Sequence, residues 1–323
     1  MNRFRFSSIG LVLVAGLLFF GCDNQVEAPK TMTLQTKNAV EVLPAGAQFV
    51  GMVDLQAMQH NALFDPFDDE SMSGEFGARV QDFLDVTGFD PKNDLREVYF
   101  AASDMGPDAQ PSIVAYANFD RERLQDYVEQ RLGESFKRSN YKGIPIYRAQ
   151  ENDHTFAFAL ANENMIVASP DEADVKAMLD RLSGTGRALK DDVETMQLIA
   201  LASGGSSAWA VICDFDEQAT REGEHEGAIG RDMEKIAQAL KDVAIALTIQ
   251  DNGIEGTVFM NTKEGVSASD VADLTKGVVA AMKAEPDIDE EKLRMLDRVK
   301  VRTKSGFVQV EFFADNAMLK SSG

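Results

Sequence analysis

The sequence predicts an α+β protein in which repeated strand–strand–helix units form antiparallel sheets with helices packed on one face. Two short apolar runs followed by an amphipathic helix occur three times along the chain, and hairpins of this kind pair antiparallel strands. The strongest hairpin signal is Asp251-Asn252-Gly253, which separates two β-type runs. Hydrophobic residues make up 44% of the chain and include 20 Phe, which is enough for a packed core and argues against disorder.

The first half of the chain is predicted to open with a strand and then to repeat the strand–strand–helix order. A strand is expected at 49–55, and a helix from about 76 to 86 that ends at Gly88. Ser169 is predicted to cap the second of the repeated helices, with Pro170 at its first position. The repeated elements are expected at 98–101, 113–116 and 120–132 for the first copy, and at 155–160, 165–168 and 170–184 for the second.

The second half is predicted to contain the third copy and a C-terminal hairpin. The turn at Asp251-Asn252-Gly253 is expected to join strands at 243–250 and 254–260. The folded part of the chain is therefore predicted to comprise two α+β regions, 42–215 and 216–323, which are either separate or continuous with each other. The remaining elements are expected at 192–202, 230–241, 269–283 and 290–297 for helices, at 208–213 for a strand, and at 299–302 and 307–313 for the hairpin.

The first two copies share sequence as well as order. Ile113-Val114-Ala115 leads to Arg131-Leu132-Gly133, and Ile166-Val167-Ala168 leads to Arg181-Leu182-Ser183-Gly184. Duplication of one unit and ordinary recurrence of a common motif both explain this similarity. Either origin gives antiparallel sheets with helices on one face.

The N-terminus has the layout of a secretory signal peptide at 1–21. Two arginines precede an apolar segment of about 12 residues, shorter than the roughly 20 that a spanning helix needs, and the small residue Gly21 stands before Cys22. A cysteine at this place resembles the lipobox of bacterial lipoproteins, although Phe19 departs from the aliphatic residue usual there. The resemblance implies a diacylglyceryl group on Cys22, with a plain cleavable signal peptide as the alternative.

Residues 22–41 are polar and are predicted to be a flexible tether between Cys22 and the folded body. The anchor makes the membrane a partner and places the protein in the cell envelope, facing the periplasm or the exterior. Asp23 resembles a retention signal for the inner membrane of some Gram-negative bacteria. That rule varies between lineages, so the inner and the outer membrane both stay open.

The chain is strongly acidic, with 53 acidic and 32 basic residues and a net charge of −21. Such a charge repels nucleic acid and bare anionic lipid headgroups, so both are poor partners and no nucleic-acid binding is expected. A salt-loving source and an ordinary acidic surface both account for it.

Two segments are similar to a family of uncharacterised bacterial envelope lipoproteins. One is the opening Leu43-Pro44-Ala45 with the run Phe49 to Leu55, and the other is Tyr141-Lys142-Gly143-Ile144-Pro145-Ile146-Tyr147. The resemblance covers residues 43–215. It implies an anchored, extracytoplasmic α+β domain of unknown function, and it supplies no catalytic residues.

The residue types that carry catalysis or bind metals are scattered. His60, His154 and His225 stand apart, and no Walker loop, nucleophile elbow or dinucleotide fingerprint occurs. The acidic stretch 214–226 starts like an EF-hand loop but lacks its sixth and twelfth residues, and the acidic cluster 65–70 is no better. The sequence therefore predicts no catalytic, cofactor or metal site. Cys213 is expected to be a buried core residue of the strand at 208–213.

The anchor and the absence of recognisable chemistry favour a non-enzymatic binding or structural module whose partner is another envelope protein. Two other classes stay open. One is a carrier or sensor of an apolar ligand, because 20 Phe and 14 Met would suit the lining of a cavity. The other is a hydrolase with an unrecognised site. An exposed edge strand or apolar patch would favour the binding module.

Overall fold

The computed structural model describes residues 31–59, 83–104, 106, 109–131, 136–151, 154–215, 228–286 and 288–321. The chain divides into two compact units, one formed by Met32–Met196 and the other built on Gln197–Gly323. This division falls before the boundary expected at 215/216. Each unit contains an antiparallel sheet and several helices, so the predicted α+β class with antiparallel pairing is confirmed.

The first unit contains a sheet of seven strands in the order β1-β2-β3-β7-β6-β5-β4. The pairs β2–β3 and β6–β7 lie where the two repeated strand pairs are expected. The strands are β1 (Phe49–Asp54), β2 (Leu95–Ala102), β3 (Ser112–Ala117), β4 (Phe136–Tyr141), β5 (Ile144–Glu151), β6 (His154–Leu160) and β7 (Met165–Ser169).

The helices of this part of the chain include both predicted repeat helices. Residues 83–87 are also helical and are followed by Gly88 at φ +69°, while the start of the helix expected there lies outside the described residues. The helices are α1 (Leu34–Val40), α2 (Leu55–Met58), α3 (Pro91–Asp94), α4 (Arg121–Glu129), α5 (Glu172–Leu182) and α6 (Val193–Ala202).

Helix α1 corrects the predicted tether, which does not extend to residue 41. Thr33 caps the helix, since its hydroxyl accepts the N–H of Thr36 at 3.1 Å. Thr36, Ala39 and Val40 are buried. Spaced at i, i+3 and i+4, these three side chains form a narrow stripe that packs inward. The rest of the segment is polar, which is why the sequence does not indicate a helix here.

The predicted cap of α5 is two residues too early. Asp171 is the cap, because its carboxylate accepts the N–H of Ala173 at 2.8 Å. Ser169 remains in β7, where it pairs with Ala157, and its hydroxyl donates to Asp174 at 3.1 Å. Strand pairing keeps Ser169 extended, so the helix starts only after the chain leaves the sheet.

The second unit contains five strands in the order β11-β12-β10-β9-β8, with the turn between β9 and β10 at the predicted place. Its strands are β8 (Ala208–Ile212), β9 (Leu240–Gln250), β10 (Gly253–Thr262), β11 (Lys300–Lys304) and β12 (Phe307–Asp315), and its helices are α7 (Ala228–Ala239), α8 (Ala268–Lys283), α9 (Glu290–Leu296) and α10 (Asn316–Ser321).

The core of the second unit forms between one face of this sheet and its helices. Val258 and Val310 are cross-strand neighbours, as are Met260 and Val308, so all four side chains lie on one face. They pack with Val271 and other apolar residues of α7, α8 and α9. Burial of this continuous apolar surface is the main stabilising contribution to the unit.

A candidate binding edge at strand β4

Strands β4 and β5 form a hairpin that lies at one end of the first unit's sheet, and β4 was not predicted. Lys142 and Gly143 form the two-residue turn with φ values of +51° and +84°, as in a type I′ turn. The side-chain oxygen of Asn140 accepts the N–H of Gly143 at 3.0 Å and fastens the turn. The strand sequence Phe-Lys-Arg-Ser-Asn-Tyr is too polar to give a β signal by itself.

The turn determines which backbone groups of β4 point away from the sheet. In a hairpin with a two-residue loop, the flanking residues form a hydrogen-bonded pair, and the pairs then alternate. Ser139 and Tyr141 therefore bond to β5, whereas the N–H and C=O groups of Phe136, Arg138 and Asn140 point outward. Pro145 is consistent with this assignment. It lies opposite Asn140 in a pair that forms no hydrogen bonds between the strands, so the missing N–H of proline costs nothing there.

The outward groups at the middle of β4 are available for pairing. The N–H of Phe136 already donates to the carbonyl of Arg131 at 3.2 Å. Within the described residues, no other backbone group bonds to the outward N–H of Arg138 or Asn140. The side chains of Lys137, Arg138 and Asn140 are exposed. β4 pairs with a single strand, β5, in the part of the chain that the structure describes.

The Glu172 carboxylate at the start of α5 supports one face of the hairpin. It accepts hydrogen bonds from Ser139 of β4 at 2.8 Å and from Arg148 of β5 at 3.0 Å, and it pairs with Lys176 at 2.8 Å. These contacts, led by Lys176, lower the pKa of Glu172 to about 2. The carboxylate therefore stays ionised and holds both strands against α5.

A second carboxylate of α5, Asp180, fastens the turn end of the hairpin. It accepts the hydroxyl hydrogen of Tyr141 at 3.0 Å and pairs with the ammonium group of Lys142 at 2.6 Å. The Lys142 hydrogen bond lowers the pKa of Asp180, and Asp180 in turn raises the pKa of Lys142. The turn residues are thus tied to the same helix as the strand.

The opposite face of the hairpin contacts α4. Arg138 donates to Glu129 at 2.8 Å, and the buried Tyr147 donates to the same carboxylate at 3.3 Å. Arg138 and Ser139 are adjacent in β4, so their side chains point to opposite faces of the sheet. Since they reach different helices, side chains on both faces of the hairpin are held by carboxylates of α4 and α5.

One end strand of each order, β4 in the first unit and β11 in the second, carries only positive charges. β4 has Lys137 and Arg138, and β11 has Lys300, Arg302 and Lys304, with no acidic residue in either strand. This contrasts with the net charge of −21 of the whole chain. Lysine on an edge strand is a common protection against uncontrolled pairing, and it also selects what can pair there.

The arrangement at β4 is suited to strand addition. An extended segment laid along β4 could bond to the outward groups of Arg138 and Asn140, and the contacts to α4 and α5 hold the strand in position beforehand. Main-chain hydrogen bonds supply affinity in this mode, while side chains supply specificity.

A separate polar cluster fastens α1 to the sheet. The buried Tyr99 donates to Glu97 at 2.5 Å, so the hydroxyl of Thr36, 3.0 Å away, donates to Tyr99. Glu97 lies directly opposite Asp54 in β1 and Tyr116 in β3. Burial raises the pKa of the Glu97 carboxyl above its ordinary value, despite the hydrogen bond from Tyr99. The cluster binds an N-terminal element and faces the interior, which indicates a structural role.

Most residues singled out from sequence fall outside the described part of the chain. Cys22, His60, the acidic cluster 65–70, His225 and residues 216–226 all lie there. His154 is the first residue of β6. Within the described residues, no group of three or more His, Cys, Asp or Glu side chains could hold a metal ion.

The described residues at the start of the acidic stretch make contacts that stabilise the fold. Asp214 adopts a left-handed conformation, with φ +49°, and its N–H donates to the buried Asp242 carboxylate at 3.1 Å. Asn261 donates to the same carboxylate at 2.8 Å. Cys213 follows the last residue of β8 and is half-buried, so the prediction of a buried strand residue is wrong.

No helix of the described segments has both the length and the apolar character needed to cross a bilayer.

The fold is that of a two-unit α+β protein with antiparallel sheets, and strand β4 at the end of one sheet is basic. Residues 102–296, more than half of the chain, match the family described as "Protein of unknown function (DUF3352)". The chain belongs to this family. No curated protein matches the chain.

Three solved structures of TP0453 are similar to the chain. Crystal form III has a TM-score of 0.50 at 13% identity, covering 87% of this chain and 96% of that chain. Crystal form IV has a TM-score of 0.48 at 12% identity, covering 88% and 95%, and crystal form I has 0.46 at 12%, covering 87% and 94%. At such identity, the likeness to form III concerns the fold alone.

Proposed function

We propose that this protein is a lipid-anchored, extracytoplasmic binding module that pairs an extended segment of another envelope protein with the outer edge of β4. The observation that carries the proposal is the edge itself. Arg138 and Asn140 are exposed residues whose N–H groups bond to no other backbone group within the described residues. Glu129, Glu172 and Asp180 hold the hairpin by hydrogen bonds from both faces. A prearranged strand binds with a smaller loss of conformational entropy than a mobile one.

The anchor is supported by the signal-peptide layout that ends at Cys22. Because α1 begins at Leu34, only residues 23–33 separate Cys22 from the first helix, fewer than the sequence predicts. The edge would then lie near the membrane that holds the partner. Mass spectrometry of the N-terminal peptide tests this part: a lipid-modified cysteine is expected, and an unmodified Cys22 would contradict it.

The partner is tested by crosslinking in cells. A photo-crosslinking residue replaces Lys137 on the edge, and a matched protein carries it at the exposed Glu264 of the second unit. One envelope protein is expected to crosslink from position 137 and not from position 264. The Cys22→Ala form should lose the crosslink, since it lacks the anchor.

Backbone pairing is separated from side-chain contact by two substitutions at one position. Arg138→Pro removes the outward N–H, which an edge strand tolerates because the ladder to β5 does not use it. Arg138→Ala keeps that N–H and removes the same side chain. Crosslinking should be weaker in Arg138→Pro than in Arg138→Ala, because only the proline variant loses the outward N–H. Equal crosslinking in both variants, or none from position 137 in any protein, would overturn the proposal.

The proposal includes the absence of catalysis. Each carboxylate around the hairpin is engaged: Glu172 by three donors, Asp180 by Tyr141 and Lys142, and Glu129 by Arg138. Their contacts have structural roles, which supports a binding module. Hydrolysis of an ester or peptide substrate that disappears in Glu172→Gln would contradict it.

We also propose that the strand–strand–helix units share an origin. Four such units occur along the chain with other elements between them, namely β2–β3–α4, β6–β7–α5, β9–β10–α8 and β11–β12–α10. Superposition of these units in an experimental structure tests this. Deviations as large as those between unrelated hairpin–helix pairs would contradict a common origin.

A further inference from the structure

We propose that the segment recognised by β4 is an acidic, extended segment of a different protein, and that the edge is built to reject a second copy of this chain. This inference rests on the proposed function and names the chemistry of its partner. It is carried by the distribution of charge on the edges.

Pairing between two copies would place like charges against each other. β4 against β4 brings Lys137 and Arg138 of one copy close to the same residues of the other. β4 against β11 meets Lys300, Arg302 and Lys304 instead. Like charges directly across a strand pair are destabilising. Both edges therefore disfavour self-association, although the rest of the chain is strongly acidic.

The face towards α5 carries two neighbouring positive charges at the edge. Lys137 lies directly opposite Arg148, so two cationic side chains are cross-strand neighbours. Arg148 is neutralised by Glu172, which is also held by Lys176 and Ser139. Lys137 has no ion pair within the described residues. A carboxylate on the incoming strand would supply the missing partner.

The other face carries Arg138, which is 42% exposed at its side chain and shares Glu129 with Tyr147. A guanidinium group has five donors, so Arg138 can accept a second carboxylate while it keeps Glu129. The two faces of β4 thus each present a base to an added strand, one residue apart. A segment with acidic residues is complementary in either register.

The test uses a fluorescein-labelled peptide of about ten residues in which Glu alternates with Val and Thr. A second peptide has Lys in place of every Glu, and a third has Pro in place of every Val. Anisotropy is measured with the full soluble chain from residue 23 onward and with its variants. The acidic peptide should bind at least about tenfold more tightly than the lysine peptide and lose affinity as salt is added.

The edge variants assign the binding to backbone pairing and to charge. Arg138→Pro should weaken the acidic peptide about tenfold relative to Arg138→Ala, as expected for one lost hydrogen bond in a cooperative ladder. Asn140→Pro is compared with Asn140→Ala in the same way at the second outward N–H. This second pair decides the question if circular dichroism shows that one proline variant is misfolded. Lys137→Glu should weaken the acidic peptide and restore the lysine peptide.

Three results would overturn the inference: equal binding of the acidic and lysine peptides, equal binding of the proline-containing acidic peptide, or concentration-dependent dimers that disappear in Arg138→Pro. Failure here is distinguishable from failure of the proposed function. If an envelope protein crosslinks at position 137 while the acidic peptide does not bind, the acidic partner is wrong and the binding edge stands.

Discussion

Gly256 in β10 is a position where the structure leaves almost no room for a side chain. It lies opposite Phe312 of β12. A Cβ added to Gly256 would stand 2.0, 2.4 and 2.6 Å from three atoms of the Phe312 ring. Carbon atoms in contact are normally about 3.5 Å apart or more, so the ring would have to move by more than about 1 Å. Phe312 packs against the core of the second unit, and its displacement disturbs that core.

The expected cost of Gly256→Ala follows from two opposing effects. Overpacking costs about 1–3 kcal/mol, whereas alanine in place of glycine inside a strand gains about 0.5–1 kcal/mol. We therefore expect the free energy of unfolding of the second unit to fall by about 1–2 kcal/mol. The assay is urea unfolding followed by the fluorescence of Trp209, which lies in β8 of the same unit.

Two controls make the prediction specific. Gly277→Ala in the middle of α8 meets no atom within 4 Å, and it should stabilise the protein by up to about 1 kcal/mol because alanine is the better helix former. Phe312→Ala combined with Gly256→Ala should cost less than the sum of the two single changes, by about 1 kcal/mol or more. Unchanged stability in Gly256→Ala, or strict additivity, would refute the reasoning.

Three further changes test the contacts of the first unit. Tyr99→Phe removes the hydroxyl that links Thr36 to Glu97, so the free energy of unfolding should fall by about 1–3 kcal/mol. The amides of α1 should also exchange faster with solvent. Unaltered exchange would show that the cluster does not hold α1. Because the pKa of Glu172 is lowered, the ionised carboxylate contributes fully to the free energy of unfolding above the ordinary Glu pKa of 4.5, and this contribution is lost as the pH falls through about 2. Glu172→Gln should therefore make the free energy of unfolding fall less steeply as the pH is lowered through this range. An unchanged pH dependence would contradict this. Gly143→Ala, at φ +84°, should cost about 1 kcal/mol by urea unfolding, and a neutral effect would argue against the type I′ turn.

Elements with strong local signals were predictable. The turn at Asp251-Asn252-Gly253 is such a case, because its composition has few alternatives to a hairpin. Strand β7 is another, since Met165 to Ala168 is uniformly apolar and follows a turn-forming segment.

Elements whose identity depends on tertiary contacts were missed. Helix α1 buries only Thr36, Ala39 and Val40, a stripe too small to stand out in a polar segment. Strand β4 has two charged residues and is stabilised by pairing with β5 and by polar contacts to α4 and α5. Such contacts join residues far apart in sequence, and composition does not reveal them.

The candidate site depends on register, which explains why sequence reasoning did not find it. Whether the N–H of Arg138 points inward or outward follows from the turn at Lys142-Gly143. Lysine is unusual at the first position of a type I′ turn, so the sequence did not predict a two-residue loop here. The local sequence signals of such a turn are Gly143 and Asn140, whose side chain accepts the N–H of Gly143 in the structure.

The binding edge is tested most directly by residue-resolved hydrogen exchange of the β4 amides, with and without the envelope protein that crosslinks at position 137. The amides of Arg138 and Asn140 are expected to exchange fast in the unbound protein and to become protected in the complex. The amide of Ser139, which bonds to β5, should be protected in both states. Unchanged exchange at Arg138 and Asn140 on binding would contradict strand addition at β4.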